Sequence, residues 1–421
     1  MIILRLACQS IMNRKFATLL AILSIAVSTT LLLGVEKVRT SARTSFINTI
    51  SGTELVVGAR TGGVLLLLYS VFHIGDATAN VTWKTVEDIK KRDEVKWIVP
   101  ITLGDSHRGY RVVGTSSEYF KRFRYRRDIP LQFIEGQKFS DLFDAVLGAD
   151  VARTLNYKIG DEIILAHGTG PISIGKDHGD TPFRVSGILA STGTPIDRAV
   201  HVSMEAIEAI HIGWETGNFS DQGNQKSVEN LRKMDLSPKA VTAMYVGLKT
   251  KMSIFSLQRW INTYPQEPII AILPGIVFGE LWSMIGNVEK VLLFVSAMVV
   301  FTAILGMIIS ILASLNERRR EMAILRAIGA KPIQVFILLT TEAATIVFIG
   351  VLIGFFSLYS VLFLVQPFIE NLTGLYMDIA LPGLNEMIIM AVIVGAAVLA
   401  GIIPALRAYR TSLADGLMIR G

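Results

Sequence analysis

The chain has 421 residues, of which 51% are hydrophobic and only 18% are charged, and its formal net charge at pH 7 is +6. Soluble domains average about 25% charged residues, so this balance indicates membrane-spanning segments beside an ordinary soluble part. In a membrane protein such a positive charge usually comes from cytoplasmic Lys and Arg, so we expect no nucleic-acid partner. The single cysteine, Cys8, excludes an internal disulfide and every zinc site built on paired cysteines.

Four apolar stretches are long enough to cross a bilayer as helices, which requires roughly 20 residues each. In chain order they cover residues 16–35, 291–315, 343–367 and 387–406. The first stretch is longer than the apolar core of a signal peptide, and no A-x-A-like cleavage site follows it. We therefore expect the chain to retain all four spans.

Positively charged residues flank the spans asymmetrically. They precede span one, lie between spans two and three, and follow span four, at Arg5, Arg14, Lys15, Arg318, Arg319, Arg320, Arg326, Lys331, Arg407, Arg410 and Arg420. The loop between spans three and four, 368–386, contains neither Lys nor Arg. The positive-inside rule therefore predicts cytoplasmic termini and an external location for the long segment between spans one and two.

The segment inserted between spans one and two has the pattern of an α+β domain. Polar helical stretches at 36–50 and 280–290 adjoin spans one and two, so both spans are expected to extend outward as a stalk. Apolar, β-branched runs predict strands at 97–103, 110–114, 162–166, 183–189 and 199–202. Helical spacing predicts helices at 83–91, 140–155, 204–211 and 253–263.

The predicted fold class is a membrane protein with four transmembrane α-helices and a large α+β extracytoplasmic domain inserted between helices 1 and 2. The predicted segments are a cytoplasmic N-terminus with span one (1–35), the external domain with its stalk helices (36–288), span two (289–315), a cytoplasmic helix (316–333), and spans three and four with the external loop and cytoplasmic C-terminus (334–421).

The apolar run 64–72 (VLLLLYSVF) is too short to span a membrane. We expect a buried strand or helix, and the alternative is an apolar surface for a partner, a substrate or the lipid interface. Glu342 lies at the cytoplasmic end of span three. We expect it to reach water there, and the alternative is that it pairs with a loop arginine or caps a bend.

Two segments of the external domain resemble ligand motifs only superficially. Residues 170–177 (GPISIGKD) lack the final Ser or Thr of a phosphate-binding loop, and Asp177 in its place would repel phosphate. The possible metal ligands close in sequence are His167, Asp177, His178 and Asp180. Their spacing fits no defined motif, so a solvated loop is the expected interpretation and no metal is predicted. Neither HExxH nor G-x-S-x-G is present, so no hydrolase signature supports an enzyme.

A short basic segment between spans two and three, 316–332 (NERRREMAILRAIGAKP), has the spacing of an amphipathic helix. Ile324, Leu325 and Ile328 share one face, and Gly329 fits the residue that ends the helix. From the residues alone, a helix lying on anionic lipid and a docking helix for a cytoplasmic partner are equally supported. In span three, Gly350 and Gly354 form a G-x-x-x-G pattern that permits close helix packing, within one chain or in a dimer.

The basic segment resembles the cytoplasmic coupling helix of the MacB/FtsX-type ABC transporter permeases. The residues matching the family pattern RxxE[IM][AG]xxRAxGA are Arg318, Glu321, Met322, Ala323, Arg326, Ala327, Gly329 and Ala330. Segments 147–163 and 185–197 resemble the external MacB-type domain. The sequence after span four resembles the family's ending, at Pro404, Ala405, Arg407, Ala408 and Arg410. The order of one span, a large domain and three spans also matches this type VII mechanotransmission superfamily.

The resemblance implies a non-catalytic permease subunit in the cell inner membrane, with its large domain in the periplasm. The chain itself would bind no cofactor, since ATP and Mg²⁺ belong to a separate cytoplasmic ATPase dimer. That dimer is expected to dock on Arg318, Arg319, Arg320, Glu321, Met322, Leu325, Arg326, Ala327, Gly329 and Ala330. A second permease copy and membrane lipids are further expected partners, and the resemblance leaves room for a periplasmic adaptor, lipoprotein or binding protein.

In such a permease, ATP-driven motion passes through the stalk to the external domain and serves export or extraction of a substrate. The alternative is an FtsX-like regulator that uses the same motion to control an external enzyme, although FtsX-like regulators resemble a smaller external domain. The sequence leaves the substrate open among macrolides, peptides, lipoproteins, lipids and metal-related cargo.

Overall fold

The computed structural model describes residues 15–126, 128–168, 181–212, 231–317, 324, 327, 329–373 and 382–410. The chain divides into two compact units. The membrane unit comprises Met1–Ala42, Ile285–Pro367 and Asp378–Gly421, and the external unit comprises Arg43–Met284 and Phe368–Met377.

The described helices, in chain order, are α1 Lys15–Asn48, α2 Gly63–Val71, α3 Trp83–Lys90, α4 Glu118–Arg122, α5 Ala149–Leu155, α6 Met204–His211, α7 Ile254–Asn262, α8 Pro274–Glu317, α9 Pro332–Thr373 and α10 Leu384–Arg410. The described strands are β1 Leu55–Ala59, β2 Val81–Thr82, β3 Val95–His107, β4 Tyr110–Thr115, β5 Arg124–Tyr125, β6 Ile129–Pro130, β7 Phe133–Gly136, β8 Asp144–Leu147, β9 Glu162–Ile163, β10 Ala166–His167, β11 Phe183–Leu189, β12 Ala199–Ser203, β13 Ala240–Val241, β14 Ala243–Leu248 and β15 Ile269–Ile272.

The external unit is built on a mixed sheet in which 11 strands are described. Its main order is β15-β1-β14-β3-β4-β12-β8-β11-β7, with β10 paired to β3 and β9 to β11. The pairs β4–β12 and β8–β11 are parallel, and the other pairs in this sheet are antiparallel. A mixed sheet with short helices is the α+β architecture that the sequence predicts.

Both faces of this sheet are covered by apolar side chains. In β1, Val56 belongs to one cluster of buried residues, whereas its neighbours Leu55 and Val57 belong to another. Successive side chains of a strand point to opposite faces, so each face of β1 packs against its own layer. Helix α2 supplies Leu66 and Leu67 to the first layer, where both are fully buried. The expectation that the apolar run 64–72 is buried is confirmed, and it forms a helix.

In the described part of the chain, four helices are long and apolar enough to cross a bilayer, and these spans lie within α1, α8, α9 and α10. They pack around one apolar cluster to which all four contribute, for example through Ile25, Met307, Val347 and Ala397. With the external unit inserted between α1 and α8, the chain has the predicted fold class of a four-helix membrane protein.

The helices are longer than the apolar stretches from which they were predicted. Helix α1 continues past Val35 to Asn48, and it ends four residues before Gly52, whose φ of +69° favours glycine. Helix α8 begins at Pro274, where proline is well tolerated because the first helical N–H has no partner within the helix.

Two predicted elements of the external unit are wrong. The helix predicted at 140–155 is a strand, β8, followed by the shorter helix α5. Strand β8 is buried at every position and lies between β12 and β11, so tertiary pairing overrides its helical spacing. The strand predicted at 162–166 is split, since β9 pairs with β11 and β10 pairs with β3.

Candidate functional site

Helices α1 and α9 pack closely at the two glycines of the G-x-x-x-G pattern. A Cβ atom on Gly350 would lie 2.8 Å from Ile25 Cγ2, and one on Gly354 would lie 2.5 Å from the Ala26 carbonyl oxygen. The Thr30 hydroxyl donates a hydrogen bond to the Gly354 carbonyl at 2.9 Å. Only glycine allows the two backbones to approach this closely. These glycines therefore serve contacts within one chain, and their part in a dimer stays a prediction.

A network of charged side chains joins all four helices of the membrane unit. Lys37 Nζ of α1 lies 3.4 Å from Glu386 Oε1 of α10, and the Tyr359 hydroxyl of α9 donates to Glu386 Oε2 at 3.0 Å. Arg39 donates to both carboxylate oxygens of Glu36, at 2.9 and 2.7 Å, and lies 3.7 Å from Glu289 of α8. The side chains of Lys37 and Glu386 are only 9% and 10% exposed, so this ion pair is desolvated and costly to break.

The predicted ATPase-docking segment lies mostly outside the described residues. This holds for Arg318, Arg319, Arg320, Glu321, Met322, Leu325 and Arg326. The exposed residues of the segment include Ala327 and Gly329, and Ala330 is half-buried. Gly329 has a φ of +105°, a conformation that favours glycine and fits the predicted helix end. Since α8 ends at Glu317 and α9 begins at Pro332, the segment is bracketed directly by two membrane helices.

The C-terminal family motif lies in the last turns of α10. Pro404 and Ala405 are buried, and Ala405 packs in a small apolar cluster with Val335 and Leu339 of α9. The partly buried Leu312, near the end of α8, joins the same cluster. Arg407 is exposed, and Arg410 is the last described residue of the helix. The motif thus helps to hold the helix ends that flank the docking segment.

Glu342 is 5% exposed and lies within the membrane unit. The expectation that it reaches water is therefore wrong, because α9 begins ten residues earlier and places Glu342 inside the packed helices.

In the external unit, the two segments resembling the MacB-type domain meet. Gly148 has no room for a Cβ atom, because the backbone of Ile196 and Asp197 lies against it. The Asp197 carboxylate, 1% exposed, accepts hydrogen bonds from the backbone N–H groups of Thr192 and Gly193 at 2.9 and 2.7 Å. Burial raises the pKa of Asp197, opposed by these hydrogen bonds. The motif residues therefore fix a loop, 192–198, rather than supply reactive groups.

That loop forms one wall of a cavity of about 360 Å³. The lining residues are Phe46, Thr49, Phe72, His73, Ile74, Gly109, Tyr110, Arg111, Thr194, Pro195 and Arg198. They come from four segments far apart in sequence, so sequence reasoning did not find the cavity. One signal was available, since Phe72 ends the apolar run for which a substrate surface was the alternative interpretation.

The possible metal ligands Asp177, His178 and Asp180, like the segment 170–177, lie outside the described residues, and so does the side chain of His167. Among the residues that are described, no group of three or more His, Cys, Asp or Glu side chains is arranged to hold a metal ion.

Two family models match the chain and together cover most of it. Residues 18–263 match the MacB-like periplasmic core domain, and residues 293–413 match the FtsX-like permease C-terminal domain. No curated protein matches the chain.

Solved structures similar to the chain include the periplasmic region of MacB from Actinobacillus actinomycetemcomitans, with 11% identity and a TM-score of 0.34. That match covers 56% of this chain and 95% of that one. Another is the extracellular domain of the noncanonic ABC-type transporter YknZ from Gram-positive bacteria, with 14% identity and a TM-score of 0.30. It covers 52% of this chain and 98% of that one. On the two family models, the chain belongs to the MacB/FtsX-like family of ABC transporter permeases.

Proposed function

We propose that the chain is the permease subunit of a complex in which a separate cytoplasmic ATPase drives movement of the periplasmic domain, for export or extraction of a substrate. One observation carries the proposal: α1 and α8 each run without interruption from an apolar span into residues of the external unit. A continuous helix conveys a displacement along its length with little loss, because i→i−4 backbone hydrogen bonds tie each turn to the next.

The ends of the membrane helices support the same proposal. The docking segment is bracketed by α8 and α9, and the cluster of Ala405, Val335 and Leu339 holds α9 to α10 beside it. A force on this segment would therefore act on three helices together. Packed interfaces of this kind move between discrete arrangements and do not deform continuously.

The charged network lies at the opposite ends of the membrane helices from the docking segment, and it supports the transmission of motion to the stalk. Lys37, Arg39 and Glu36 of α1 connect with Glu386 of α10 and Glu289 of α8. Ion pairs in desolvated positions hold a defined register between helices, since misalignment leaves a charge unpaired. We propose that these contacts make α1 and α8 move as one stalk.

We further propose that two copies of the chain assemble in the cytoplasmic membrane with both termini in the cytoplasm, each docking one ATPase subunit. The FtsX-like regulator remains the alternative. The two functions differ in whether a substrate moves, because a regulator would couple ATP hydrolysis to the activity of an external enzyme without moving any substrate.

The test of ATPase coupling is charge reversal in the docking segment. The permease and its ATPase would be reconstituted in nanodiscs, and Arg326→Glu compared with Arg184→Glu, which changes an exposed arginine of the external unit. We expect Arg326→Glu to lower permease-stimulated ATP hydrolysis at least about tenfold, the size of one lost charged contact. Arg184→Glu should leave it unchanged. Equal hydrolysis in both variants would contradict the docking assignment.

A further inference from the structure

The cavity in the external unit has the dimensions and the lining of a small-molecule site. Its volume of about 360 Å³ falls within the range of about 300 to 1,000 Å³ that ligand pockets occupy. Phe46, Phe72, Ile74 and Tyr110 give it apolar walls. Ile74 is 57% exposed, so this part of the apolar wall is accessible to a ligand.

Two guanidinium groups also line the cavity, and one of them is paired with a carboxylate outside the lining. Arg111 and Arg198 line it, and no carboxylate is among the described lining residues. The Arg111 guanidinium is held by hydrogen bonds to Asp76 at 2.8 Å and to the Gly75 carbonyl at 2.7 Å. The Arg198 guanidinium lies 5.9 Å from the centre of the Tyr110 ring. Two oriented guanidinium groups beside aromatic walls suit a planar anion such as a carboxylate.

A third polar group in the lining has an unused hydrogen-bonding capacity. The Nδ1 atom of His73 is buried and has no hydrogen-bond partner among the described residues. Buried polar atoms are seldom left unpaired, and a small rotation of the His73 ring would let a molecule bound in the cavity pair with this one. Burial, together with the nearby His201 and Arg111, lowers the pKa of His73, so its ring is neutral and can donate one N–H.

The walls are held in place before any ligand arrives. Asp197 fixes the loop that carries Thr194 and Arg198, through the hydrogen bonds described above. On the other side of the cavity, the Phe72 ring packs against two other rings. Its centroid lies 4.9 Å from that of Phe46 and 5.6 Å from that of Phe278. A preformed pocket binds with little ordering cost, which favours a small ligand.

We propose that this cavity binds a small amphiphilic carboxylate, with its chain against Phe46, Phe72 and Ile74 and its carboxylate beside Arg111, Arg198 and His73. The proposal deepens the proposed function, and rests on it, by naming the class of molecule that the external domain takes up. Phe46 belongs to the last turn of α1, so the ligand would touch the helix that also carries the first span.

The binding test uses the full chain in zwitterionic phosphatidylcholine nanodiscs, with octanoate as the probe and octylammonium as the probe of opposite charge. Calorimetry is corrected with empty nanodiscs, and hydrogen exchange locates the site. We expect octanoate, and not octylammonium, to bind saturably and to protect residues 72–75, 109–111 and 194–198. Protection of other segments only, or equal binding of the two probes, would overturn the proposal.

Matched variants decide which residues are responsible. Arg198→Gln should weaken octanoate binding about tenfold, the usual effect of losing a hydrogen bond to a charged group. Ile74→Ser should weaken it several-fold, because an exposed apolar wall is lost without disturbing the core. The controls Arg184→Gln and Ile134→Ser change exposed residues of the same types outside the cavity and should bind as wild type. Unchanged affinity in both cavity variants would refute the site.

The assay contains no ATPase, so its outcome is separate from that of the proposed function. A chain that binds octanoate but never couples to an ATPase would retain the site and lose the permease assignment. A chain that couples normally but binds no octanoate would lose only this inference. Protection of the same segments by phosphatidylglycerol nanodiscs without octanoate would overturn the assignment to a free carboxylate and point to a lipid headgroup.

Discussion

His201 makes the stability of the external unit sensitive to acid. It lies in β12, between β4 and β8, and is fully buried beside Tyr119 and Phe120, whose ring centroids are 5.3 and 5.9 Å away. Neither ring nitrogen makes a well-formed hydrogen bond among the described residues, although the backbone of Val146 opposes the effect of burial on the pKa of His201. Burial lowers the pKa of this imidazole from its ordinary 6.5 to about 4. Between pH 6.5 and about pH 4, His201 is therefore mostly neutral in the native protein and mostly protonated in the unfolded chain.

The sign and size of the effect follow from proton linkage. Because the pKa is lowered on folding, the contribution is fully present above pH 6.5, declines as pH falls, and is fully lost below about pH 4. The complete shift corresponds to about 3 kcal/mol, of which about 2 kcal/mol is lost between pH 7 and pH 5. His201→Phe removes the titrating group, so its stability should fall by about 2 kcal/mol less than that of wild type over this interval.

Hydrogen exchange of the β12 amides in the full-length protein measures this difference directly, since central strands open with free energies near the global value. Val202→Ala is the control: Val202 is also fully buried in β12 but does not titrate. It should lower stability equally at pH 7 and pH 5, and so keep the wild-type pH difference. If His201→Phe loses as much stability between pH 7 and pH 5 as wild type does, the linkage argument is refuted.

Two further predictions concern the packing of the membrane unit, and a third concerns the orientation of the chain. Gly354→Leu should lower the thermal stability of the detergent-solubilised protein by several degrees, because its side chain meets the backbone of α1, whereas Gly395→Leu has open space and should not; equal melting of the two would contradict the packing. Lys37→Met should cost about 3 kcal/mol by leaving the buried Glu386 carboxylate without a positive charge beside it, and the double variant with Glu386→Leu should recover most of it in thermal unfolding; additive losses would argue against a coupled pair. A reporter fused after Asn224 should be detected outside the cytoplasm and one after Arg320 inside, and the reverse would overturn the orientation.

The membrane helices were predictable because their signal is local. A run of apolar residues long enough to span a bilayer admits almost no other structure, since lipid leaves backbone groups no partner outside a helix. The extension of α1 from Val35 to Asn48 was also visible as a polar helical stretch. The resemblance to the MacB/FtsX-type permeases was found from short motifs in the docking segment, the C-terminus and two external segments.

The sheet was harder to predict wherever strands are buried on both faces. Strand β1 (LVVGA) is buried at every position, so it lacks the alternation of apolar and polar residues that marks a strand. For β8 the helical spacing of the surrounding residues was misleading, and only its pairing with β11 and β12 decides its structure. Pairing partners lie far away in sequence, and a local pattern carries no information about them.

The docking segment and the cavity also differed in how far the sequence could predict them. The docking segment is continuous and was predicted from its own residues, whereas the cavity draws Phe46, His73, Arg111 and Arg198 from separate segments. Its two arginines are unremarkable in the sequence, and only the fold places them on one surface. The motif around Asp197 was noticed for its family resemblance, but its role in fixing a cavity wall depends on hydrogen bonds that a sequence does not show.

Hydrogen exchange of the stalk during ATP turnover shows whether motion driven by the ATPase reaches the external domain. The permease would be reconstituted with its ATPase in nanodiscs, and exchange of residues 36–50 and 274–290 measured with and without ATP. We expect ATP to change exchange in both stalk segments and Arg326→Glu to remove the change. Unaltered exchange in both segments while the wild-type complex hydrolyses ATP would contradict transmission of motion to the external domain.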